Sequence, residues 1–250
     1  MSDDRLLHDY EARRQRALAM GGSERLARRR GAGWLNARER IARLLDPDSF
    51  LESGLFATSL VPEDAATTPA DGKIAGFGRI DGREVALVAN DFTVLGASSS
   101  VINMKKIRHV KHAACRYGMP LVFLGESSGA RMPDHMGSRG MGTLLGNDPA
   151  QYRRTRESPW LAAAMGQCFG SSTWYCVLSD FNVFRKGAIM AVSSPLLASL
   201  AMNESVDPEA LGGWRMHAEI TGFADQVAAS DHVTGMIVAA DGLRLAHAGR

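Results

Sequence analysis

Two short segments rich in glycine and serine carry the residue types best suited to chemistry. The first, residues 126–131, reads Glu-Ser-Ser-Gly-Ala-Arg and follows the apolar run 120–124. The second, residues 166–172, reads Gly-Gln-Cys-Phe-Gly-Ser-Ser and follows the apolar run 161–165. Small residues at such junctions let a ligand approach the backbone, and N–H groups at a helix start are donors for an anion. Both segments therefore predict an oxyanion hole, in which backbone N–H groups stabilise negative charge on a substrate oxygen.

Two other interpretations of these segments have to be weighed against that hypothesis. Gly and Ser also form ordinary tight turns between a strand and a helix, and spacing alone leaves this alternative open. Nucleophilic catalysis by Ser127, Ser128 or Cys168 is disfavoured. Neither segment has the G-x-S-x-G spacing of a nucleophile elbow, and no His/Asp pair is identifiable as a relay.

The elements that must position these segments are predicted from hydrophobic periodicity. Two alternating runs, 74–80 and 83–89, flank Asp81-Gly82, which is the strongest short signal for a β-hairpin. A helix is then predicted from about Ser99 to Tyr117, followed by the strand at 120–124. A second unit has its strand at 161–165 and its helix at 174–178. Buried strands that alternate with helices indicate an α/β domain.

The beginning of the chain is predicted to form a helical arm. Residues 4–30 are charged, with Leu, Ala and Met at roughly helical spacing, so we expect an exposed arm that ends near Gly31 and Gly33. Residues 35–50 predict a short helix, capped by Asn36, that ties the arm to the domain. Residues 61–71 predict a mobile surface loop without chemistry. The predicted organisation is an arm at 1–34 and one domain at 35–250.

Composition and charge exclude several classes of protein. The 250 residues carry a formal net charge of +2 and are 45% hydrophobic, so the balance gives no reason to expect a nucleic-acid partner. Three cysteines without a C-x-x-C pair argue against a disulfide framework and a cysteine zinc site. No apolar run approaches the ~20 residues of a membrane span. We therefore expect a cytoplasmic protein with no metal and no membrane contact.

Basic and histidine-containing segments offer weaker candidates for ligand contact. Arg28, Arg29 and Arg30 could contact phosphates, but a solvated helix end is the favoured interpretation. The helix after Ser100 carries more promising groups, namely Lys105, Lys106, Arg108, His109, Lys111 and His112. Residues 132–160 lack sustained periodicity and could form a lid, in which His135 is expected to be a plain surface histidine.

Six segments occur in the order, and at about the spacing, found in the β subunits of biotin-dependent acyl-CoA carboxylases. They read LNARERIARLLDPDSF, DGKIAGFGRIDGR, NDFTVLGASSSVINMKKI, ESSGARM, GQCFGSSTWYCVLSDF and EALGG. Propionyl-CoA and methylcrotonyl-CoA carboxylases are the most similar members. From about Arg38 to the C-terminus, the chain resembles the N-terminal half of such a subunit.

This resemblance implies a fold and a set of site residues. The fold would be α/β and crotonase-like, a spiral of ββα units preceded by the helical arm, in which two βα turns bind an acyl-CoA thioester. The residues at the thioester oxygen would be Ser128, Gly129, Ala130, Cys168, Phe169 and Gly170. The residues along coenzyme A would be Gly96, Ala97, Ser98, Lys106 and Arg131, although Arg131 could equally form a structural ion pair.

The sequence departs from the family pattern in both segments and in length. The usual paired glycines of the first segment are Ser128-Gly129 here, and Phe169 and Trp174 would reshape the acyl pocket. Each change keeps a backbone N–H group. The second crotonase-like half, which binds biotin in the family, has no counterpart in this sequence. We therefore expect a partner chain that supplies it, together with a biotin carrier and a biotin carboxylase.

Three functions follow as expectations. The first is the acyl-CoA-binding subunit of a carboxyltransferase, which moves a carboxyl group between carboxybiotin and the α-carbon of an acyl-CoA and is inactive without its partner. The second is a biotin-independent decarboxylase subunit that acts on a malonyl-type thioester. The third is a non-catalytic subunit that only binds coenzyme A or a partner.

Overall fold

The computed structural model describes residues 3–136 and 158–242. As the sequence predicts, the strands Lys73–Ile80 and Arg83–Asn90 form a β-hairpin around Asp81-Gly82. Asp81 and Gly82 have φ angles of 50° and 75°, as the central residues of a type I′ turn require. Their N–H groups donate to the carboxylate of Asp46 at 2.9 and 2.8 Å. The turn is therefore fixed both by its own backbone and by a neighbouring side chain.

Eight strands form one mixed sheet in the described residues, in the order β1-β2-β3-β4-β5-β6-β8. The remaining strand, β7, pairs with the end of β5, past the residues that pair with β6. The β1-β2 and β2-β3 pairs are antiparallel, and every other pair is parallel. The strands are β1 Leu51–Ser53, β2 Lys73–Ile80, β3 Arg83–Asn90, β4 Leu121–Ser128, β5 Trp160–Phe169, β6 Phe181–Arg185, β7 Ile189–Ala191 and β8 Gln226–Ala228.

Helices cover both faces of the sheet. On one face α3 and α10 pack on the apolar side chains of β2 to β6, and on the other face α5 and α7 do so. The α-helices in the described ranges are α1 Asp3–Leu18, α2 Ser23–Gly31, α3 Ala37–Leu44, α4 Pro62–Ala65, α5 Val101–Tyr117, α6 Met132–His135, α7 Ser171–Val177, α8 Pro195–Met202, α9 Pro208–Gly212 and α10 Asp231–Ile237. The expected α/β architecture is thus confirmed.

The two central strands are longer than the sequence predicts. β4 continues to Ser128 and β5 to Phe169, so much of each Gly/Ser segment is strand and the turns are short. The extension exists because Ser127 and Ser128 pair with Cys168 and Phe169 across the sheet. Sequence periodicity stops at the last apolar residue, whereas ladder hydrogen bonds continue through polar ones.

A register shift separates the lower and upper parts of the β4–β5 pair. Gly125 lies opposite Ala164, but Ser127 lies opposite Cys168, so β5 carries the extra residues of a β-bulge. Gly166 sits inside this bulge, where an added Cβ would lie 2.7 Å from the Trp34 ring and 2.8 Å from Glu126 Oε1. Glycine is therefore required there, and the bulge sets how the two strand ends face each other.

The carboxylate of Glu126 lies in a buried ion network at this bulge. Arg29 donates to both of its oxygens at 3.0 and 2.6 Å, and Arg40 donates to one at 2.6 Å. Arg40 also contacts Asp231, which in turn pairs with Arg185 at 2.5 Å. Burial alone would raise the pKa of Glu126, but the charges of Arg40 and Arg29 outweigh it and hold the pKa below its usual value.

The expectation of an exposed N-terminal arm holds for most of its side chains and is wrong at Ala17, Met20 and Arg29. The arm is two helices, α1 and α2, and α2 ends at Gly31 as predicted. Arg28 and Arg30 are solvated, but Arg29 turns inward to Glu126. The ring of Trp34 packs between the guanidinium groups of Arg185 and Arg29, at 4.1 and 5.4 Å. The capping box of Asn36 and Glu39 at α3 confirms the predicted cap.

The substitution Glu126→Gln tests how strongly the fold depends on this carboxylate. Removing one partner of a buried ion pair leaves an uncompensated charge, which typically costs about 3–5 kcal/mol. We expect a loss of that size in the free energy of unfolding, measured by urea denaturation. Glu24→Gln is the matched control, because Glu24 pairs with Arg28 on the surface and such pairs contribute at most about 1 kcal/mol. Equal losses in the two variants would contradict the role given to Glu126.

Candidate active site

The two segments predicted to do chemistry meet at the carboxyl ends of β4 and β5. A Cβ built on Gly170 would lie 3.3 Å from Gly129 Cα and 3.9 Å from Ala130 N. Gly129 and Gly170 both have positive φ, 110° and 61°, a conformation that glycine adopts without a steric penalty. Gly129 and Gly170, which are 41 residues apart in the sequence, thus form one backbone surface.

Ala130 presents the open hydrogen-bond donor of the first segment. Its N–H group has no acceptor among the described residues, and the residue is exposed. The N–H group of Gly129 instead donates to Ser127 Oγ at 3.1 Å. Of the residues that the resemblance places at the thioester oxygen in this segment, Ala130 therefore has an N–H group available to a ligand, whereas that of Gly129 is used internally.

The second segment places another glycine beside this donor. Gly170 N donates to the Val192 carbonyl at 3.3 Å, and α7 starts at the next residue. The N–H group of Ser171, in the first turn of α7, likewise lacks an acceptor within the described ranges. Free N–H groups at a helix start are expected from helix geometry, and here they border the surface formed by Gly129 and Gly170.

Ser99 joins the two segments, a role that no motif in the sequence indicates. Its N–H group donates to the Gly129 carbonyl at 2.8 Å, and its own carbonyl accepts from Arg131 N at 2.8 Å. Its hydroxyl hydrogen-bonds to the hydroxyl of Ser171. One residue therefore contacts both sides of the candidate site and fixes their separation.

Residues 95–97 form a tight left-handed turn against the first segment. Leu95, Gly96 and Ala97 have φ angles of 45°, 61° and 48°. A Cβ on Gly96 would lie 2.7 Å from Ser128 Oγ, so only glycine fits. The Ala97 carbonyl accepts from Ser127 Oγ at 3.1 Å. The resemblance assigned Gly96 and Ala97 to coenzyme A, and the structure brings them to the edge of the site.

Arg131 and Ser98 are satisfied within the protein. Arg131 donates to Asp71 at 2.6 Å and to the hydroxyl and carbonyl of Ser98, both at 3.2 Å. The residue is 5% exposed. Asp71 also accepts from Asn103 N at the start of α5. The alternative of a structural ion pair therefore describes Arg131, and the prediction of a mobile loop at 61–71 is wrong at its buried end.

Two lysines are buried beneath the 95–97 turn. Lys106 donates to the carbonyls of Ala70 and Lys73 at 2.8 and 2.5 Å, which directs its ammonium group inward and not to an external phosphate. Lys73 donates to the Ala97 carbonyl at 2.7 Å. Burial lowers the pKa of Lys73 to about 7 and that of Lys106 to about 8. Lys73 thus supports the 95–97 turn from below, and Lys106 holds the backbone on either side of Asp71 and Gly72.

Cys168 and Phe169 contribute backbone, since both side chains are buried. A hydrogen bond to Cys176, together with burial, raises the pKa of Cys168 well above its usual value. A thiol with a raised pKa is a poor nucleophile, in agreement with the sequence argument against nucleophilic catalysis. Ser128 is exposed and lies beside Gly96, so its hydroxyl borders the surface.

The basic helix and His135 differ from expectation. On α5, Lys106 and Lys111 are buried, and the exposed basic side chains lie on one stripe made of Lys105, His109, His112 and Arg116. His135 is 2% exposed and its Nε2 contacts the Ser99 carbonyl at 2.9 Å, so the expectation of a surface histidine is wrong. The central part of the predicted lid, 137–157, lies outside the described residues.

Comparison with known proteins decides the family. Residues 28–240 match the family model described as "Carboxyl transferase domain". The chain belongs to the carboxyl transferase domain family. It is 34% identical to the mitochondrial propionyl-CoA carboxylase beta chain of Sus scrofa, over 88% of this chain and 42% of that protein. It is also 34% identical to the methylmalonyl-CoA carboxyltransferase 12S subunit of Propionibacterium freudenreichii subsp. shermanii, over 90% and 43%.

Solved structures confirm the crotonase-like fold of this carboxyl transferase domain. The transcarboxylase 12S hexamer with methylmalonyl-coenzyme A and methylmalonic acid bound superposes with a TM-score of 0.83 at 29% identity. The match covers 96% of this chain and 47% of that chain. The chain therefore spans less than half the length of each of these three relatives.

Two features are absent from the described part of the carboxyl transferase domain. No helix in it has the length and apolar composition to cross a membrane. No cluster of three or more His, Cys, Asp or Glu side chains in it could hold a metal ion.

The substitution Lys73→Met tests whether burial makes the charged form of Lys73 costly in free energy. With a pKa of about 7 in the folded protein and about 10.5 unfolded, the folded state loses its proton first. Below pH 7 the cost of the buried charge is fully present, and it is relieved as the pH rises towards 10.5. Relative to the variant, wild-type stability should rise with pH by up to about 1.4 kcal/mol per unit. The measurement is urea unfolding of both proteins from pH 6 to 9.5. If the difference in their free energies of unfolding stays constant over this range, the pKa of Lys73 is not lowered.

Proposed function

We propose that this carboxyl transferase domain binds an acyl-CoA and holds its thioester oxygen while a carboxyl group is transferred at the α-carbon. One observation carries the proposal: the backbone of Gly129-Ala130 meets that of Gly170, and the Ala130 N–H group is open towards a ligand. Negative charge develops on the thioester oxygen when the α-carbon loses a proton or a carboxylate. A single well-placed donor can stabilise such a transition state by about 3 kcal/mol.

The geometry supports a backbone donor that is fixed before the substrate binds. Gly129 N–H is held by Ser127 Oγ, which itself donates to the Ala97 carbonyl. Ser99 holds the neighbouring peptide groups from both sides. Donors that need no rearrangement act most strongly in a transition state. The proposed reaction requires no nucleophile or base from the side chains of this domain.

In the carboxylation reaction, the α-carbon gives up its proton and forms a new bond to the carboxyl carbon. By the resemblance, carboxybiotin on a partner would supply that carboxyl group, and the proton from the α-carbon would pass to the biotin ring nitrogen that the carboxyl group leaves. By the resemblance, the biotin site belongs to the second half of the carboxyltransferase, which lies outside these residues. We propose that this half, a biotin carrier and a biotin carboxylase complete the system, whichever polypeptides carry them. The relatives are more than twice as long as the matched region, in agreement with a second half.

The experiment that tests this function is an assay of the native complex. The protein is isolated gently from its host, its partners are identified by mass spectrometry, and biotin is probed with streptavidin. We expect ATP-dependent fixation of labelled bicarbonate into an acyl-CoA, with propionyl-CoA as the first probe. Release of CO₂ from methylmalonyl-CoA without ATP or biotin would instead favour the decarboxylase alternative. Neither activity in a complete complex would favour a subunit that only binds.

Gly129→Ala tests the oxyanion surface. Nothing lies within 4 Å of an added Cβ at this position, so the methyl group would project into the space above the donor. The methyl group should keep the substrate oxygen away from the Ala130 N–H group. Because losing an oxyanion donor costs about 10²–10³ in rate, we expect kcat/KM of the complex to fall by at least about tenfold. The control is Gly22→Ala, which also has a positive φ, of 91°, and open space.

The comparison of these variants separates catalysis from backbone strain. Both substitutions force alanine into a conformation that favours glycine, so both should lower stability by a similar amount. Only Gly129→Ala should lower activity. If Gly129→Ala leaves kcat/KM unchanged, or if Gly22→Ala lowers it equally, the segment at 128–130 does not hold the thioester oxygen.

A further inference from the structure

An apolar helix beside the candidate site has no buried residue. The helix α8, Pro195–Met202, reads Pro-Leu-Leu-Ala-Ser-Leu-Ala-Met. Leu196, Leu197 and Leu200 are 69%, 60% and 70% exposed. Because residues three and four apart share a helix face, these three leucines form one apolar stripe. Val192 before the helix and Met202 at its end are also exposed, at 62% and 59%.

Such a helix needs a covering surface to be stable. Isolated helices shorter than about 12–15 residues are marginal in water, and most helical stability in proteins comes from packing. The helix α8 has eight residues, and its ends are held by the Ser194 cap and by left-handed Asn203. Caps contribute about 1 kcal/mol each, which does not replace tertiary packing. The exposed stripe therefore indicates that α8 packs against a surface that the described residues do not provide.

The chain connects this helix directly to the second segment of the site. β7 pairs with Gln167–Phe169 of β5, and the Val192 carbonyl that follows accepts from Gly170 N. Thr173 of α7 donates to the Ala191 carbonyl at 2.7 Å. On the other side of Gly170, the helix α7 exposes Trp174 and Val177, which share a face. Exposed apolar side chains thus flank the turn that borders the oxyanion surface.

We propose that α8, with its stripe of Leu196, Leu197 and Leu200, is where the second half of the carboxyltransferase docks onto this domain. The proposal rests on the proposed function and adds the surface that completes the site. More than half the length of the relatives lies beyond the region they share with this chain, and a shared active site requires that half to approach Gly170. Contact at α8 brings it there.

The chemistry of the occupant follows from the residues around the stripe. Interfaces have an apolar core and a polar rim. The segment after α8 carries Glu204, Asp207 and Glu209 and no basic residue before Arg215. The docking surface should therefore be an apolar groove bordered on that side by Lys or Arg. A second copy of this domain offers the same acidic rim and would place like charges together.

Site-specific photo-cross-linking in the native host identifies what covers the stripe. The photoreactive residue p-benzoylphenylalanine replaces Leu200 in the natural full-length protein, and cross-linked peptides are identified by mass spectrometry. Leu51, equally exposed at 70% on the edge strand β1, is the control position. We expect position 200 to cross-link to a second carboxyltransferase half and position 51 not to do so. Cross-links to residues 1–250 of another copy, to an unrelated protein, or to nothing would each overturn the proposal.

The double substitution Leu196→Glu with Leu200→Glu tests the energetic role of the stripe. Glutamate keeps helix propensity but removes the apolar contact, so retention of the second half should fall at least about tenfold, as for interface hot spots. Leu51→Glu should retain it within about twofold, as expected outside an interface. Retention by the double variant equal to that of wild type would refute the assignment even if the cross-link forms.

Acyl-CoA binding separates this proposal from the proposed function. Propionyl-CoA is titrated calorimetrically into the purified wild-type and double-variant proteins. If wild type binds and the double variant binds within about threefold while losing the second half, both proposals stand. If the wild-type complex binds no acyl-CoA, the proposed function fails whatever the cross-link shows. If binding is intact but the cross-link is absent, only the docking surface fails.

Discussion

The fold depends on the neutralisation of one buried carboxylate, that of Glu126. A charge in the protein interior is costly unless it is paired and hydrogen-bonded, and Glu126 is 2% exposed. The pairing guanidinium groups come from α2 and α3, and a further ion pair extends to α10 and β6. Because Glu126 precedes Ser128 by two residues on β4, the same interactions that secure the sheet also fix the end of the strand that forms the site.

The candidate site is built from backbone, and its side chains act by holding that backbone in place. Hydrogen bonds run in sequence from Lys73 to the Ala97 carbonyl, from Ser127 to that same carbonyl, and from Gly129 to Ser127. Polarised chains of this kind are rigid when every member is satisfied. The backbone that presents the exposed Ala130 N–H group therefore has few alternative conformations.

Local patterns in the sequence were enough to predict the hairpin, the α/β architecture, the cap at Asn36 and the two segments of the site. Asp81-Gly82 and the apolar periodicity are local signals, and local sequence determines them. The ends of β4 and β5 could not be predicted, because polar residues such as Ser127 are held by ladder pairing with a strand about 40 residues away. The inward turn of Arg29 could not be predicted either, since an arginine in a basic run is indistinguishable from its solvated neighbours until the position of Glu126 is known.

The residues implied by the resemblance divide in the same way. Gly96, Gly129, Ala130 and Gly170 lie together at the candidate site, where the three glycines have positive φ angles. Lys106 and Arg131 have charged ends that suggest ligand contact in a sequence, yet the carbonyl and carboxylate groups that satisfy them lie in Ala70, Lys73 and Asp71. A side chain's role depended on partners far away in the chain, whereas a glycine's role depended on its own φ angle.

The ion network also has a consequence for how the chain folds. Its members lie at positions 29, 40, 126, 185 and 231, so they close loops that extend over most of the chain, and closing long loops is what slows folding. A partly folded form without α2 would lose the pairing of Glu126 with Arg29, and one without α10 would lose the pairings of Asp231 with Arg40 and Arg185. Such intermediates are high in free energy, and the elements at the two ends of the chain therefore order together with the centre of the sheet in a cooperative transition.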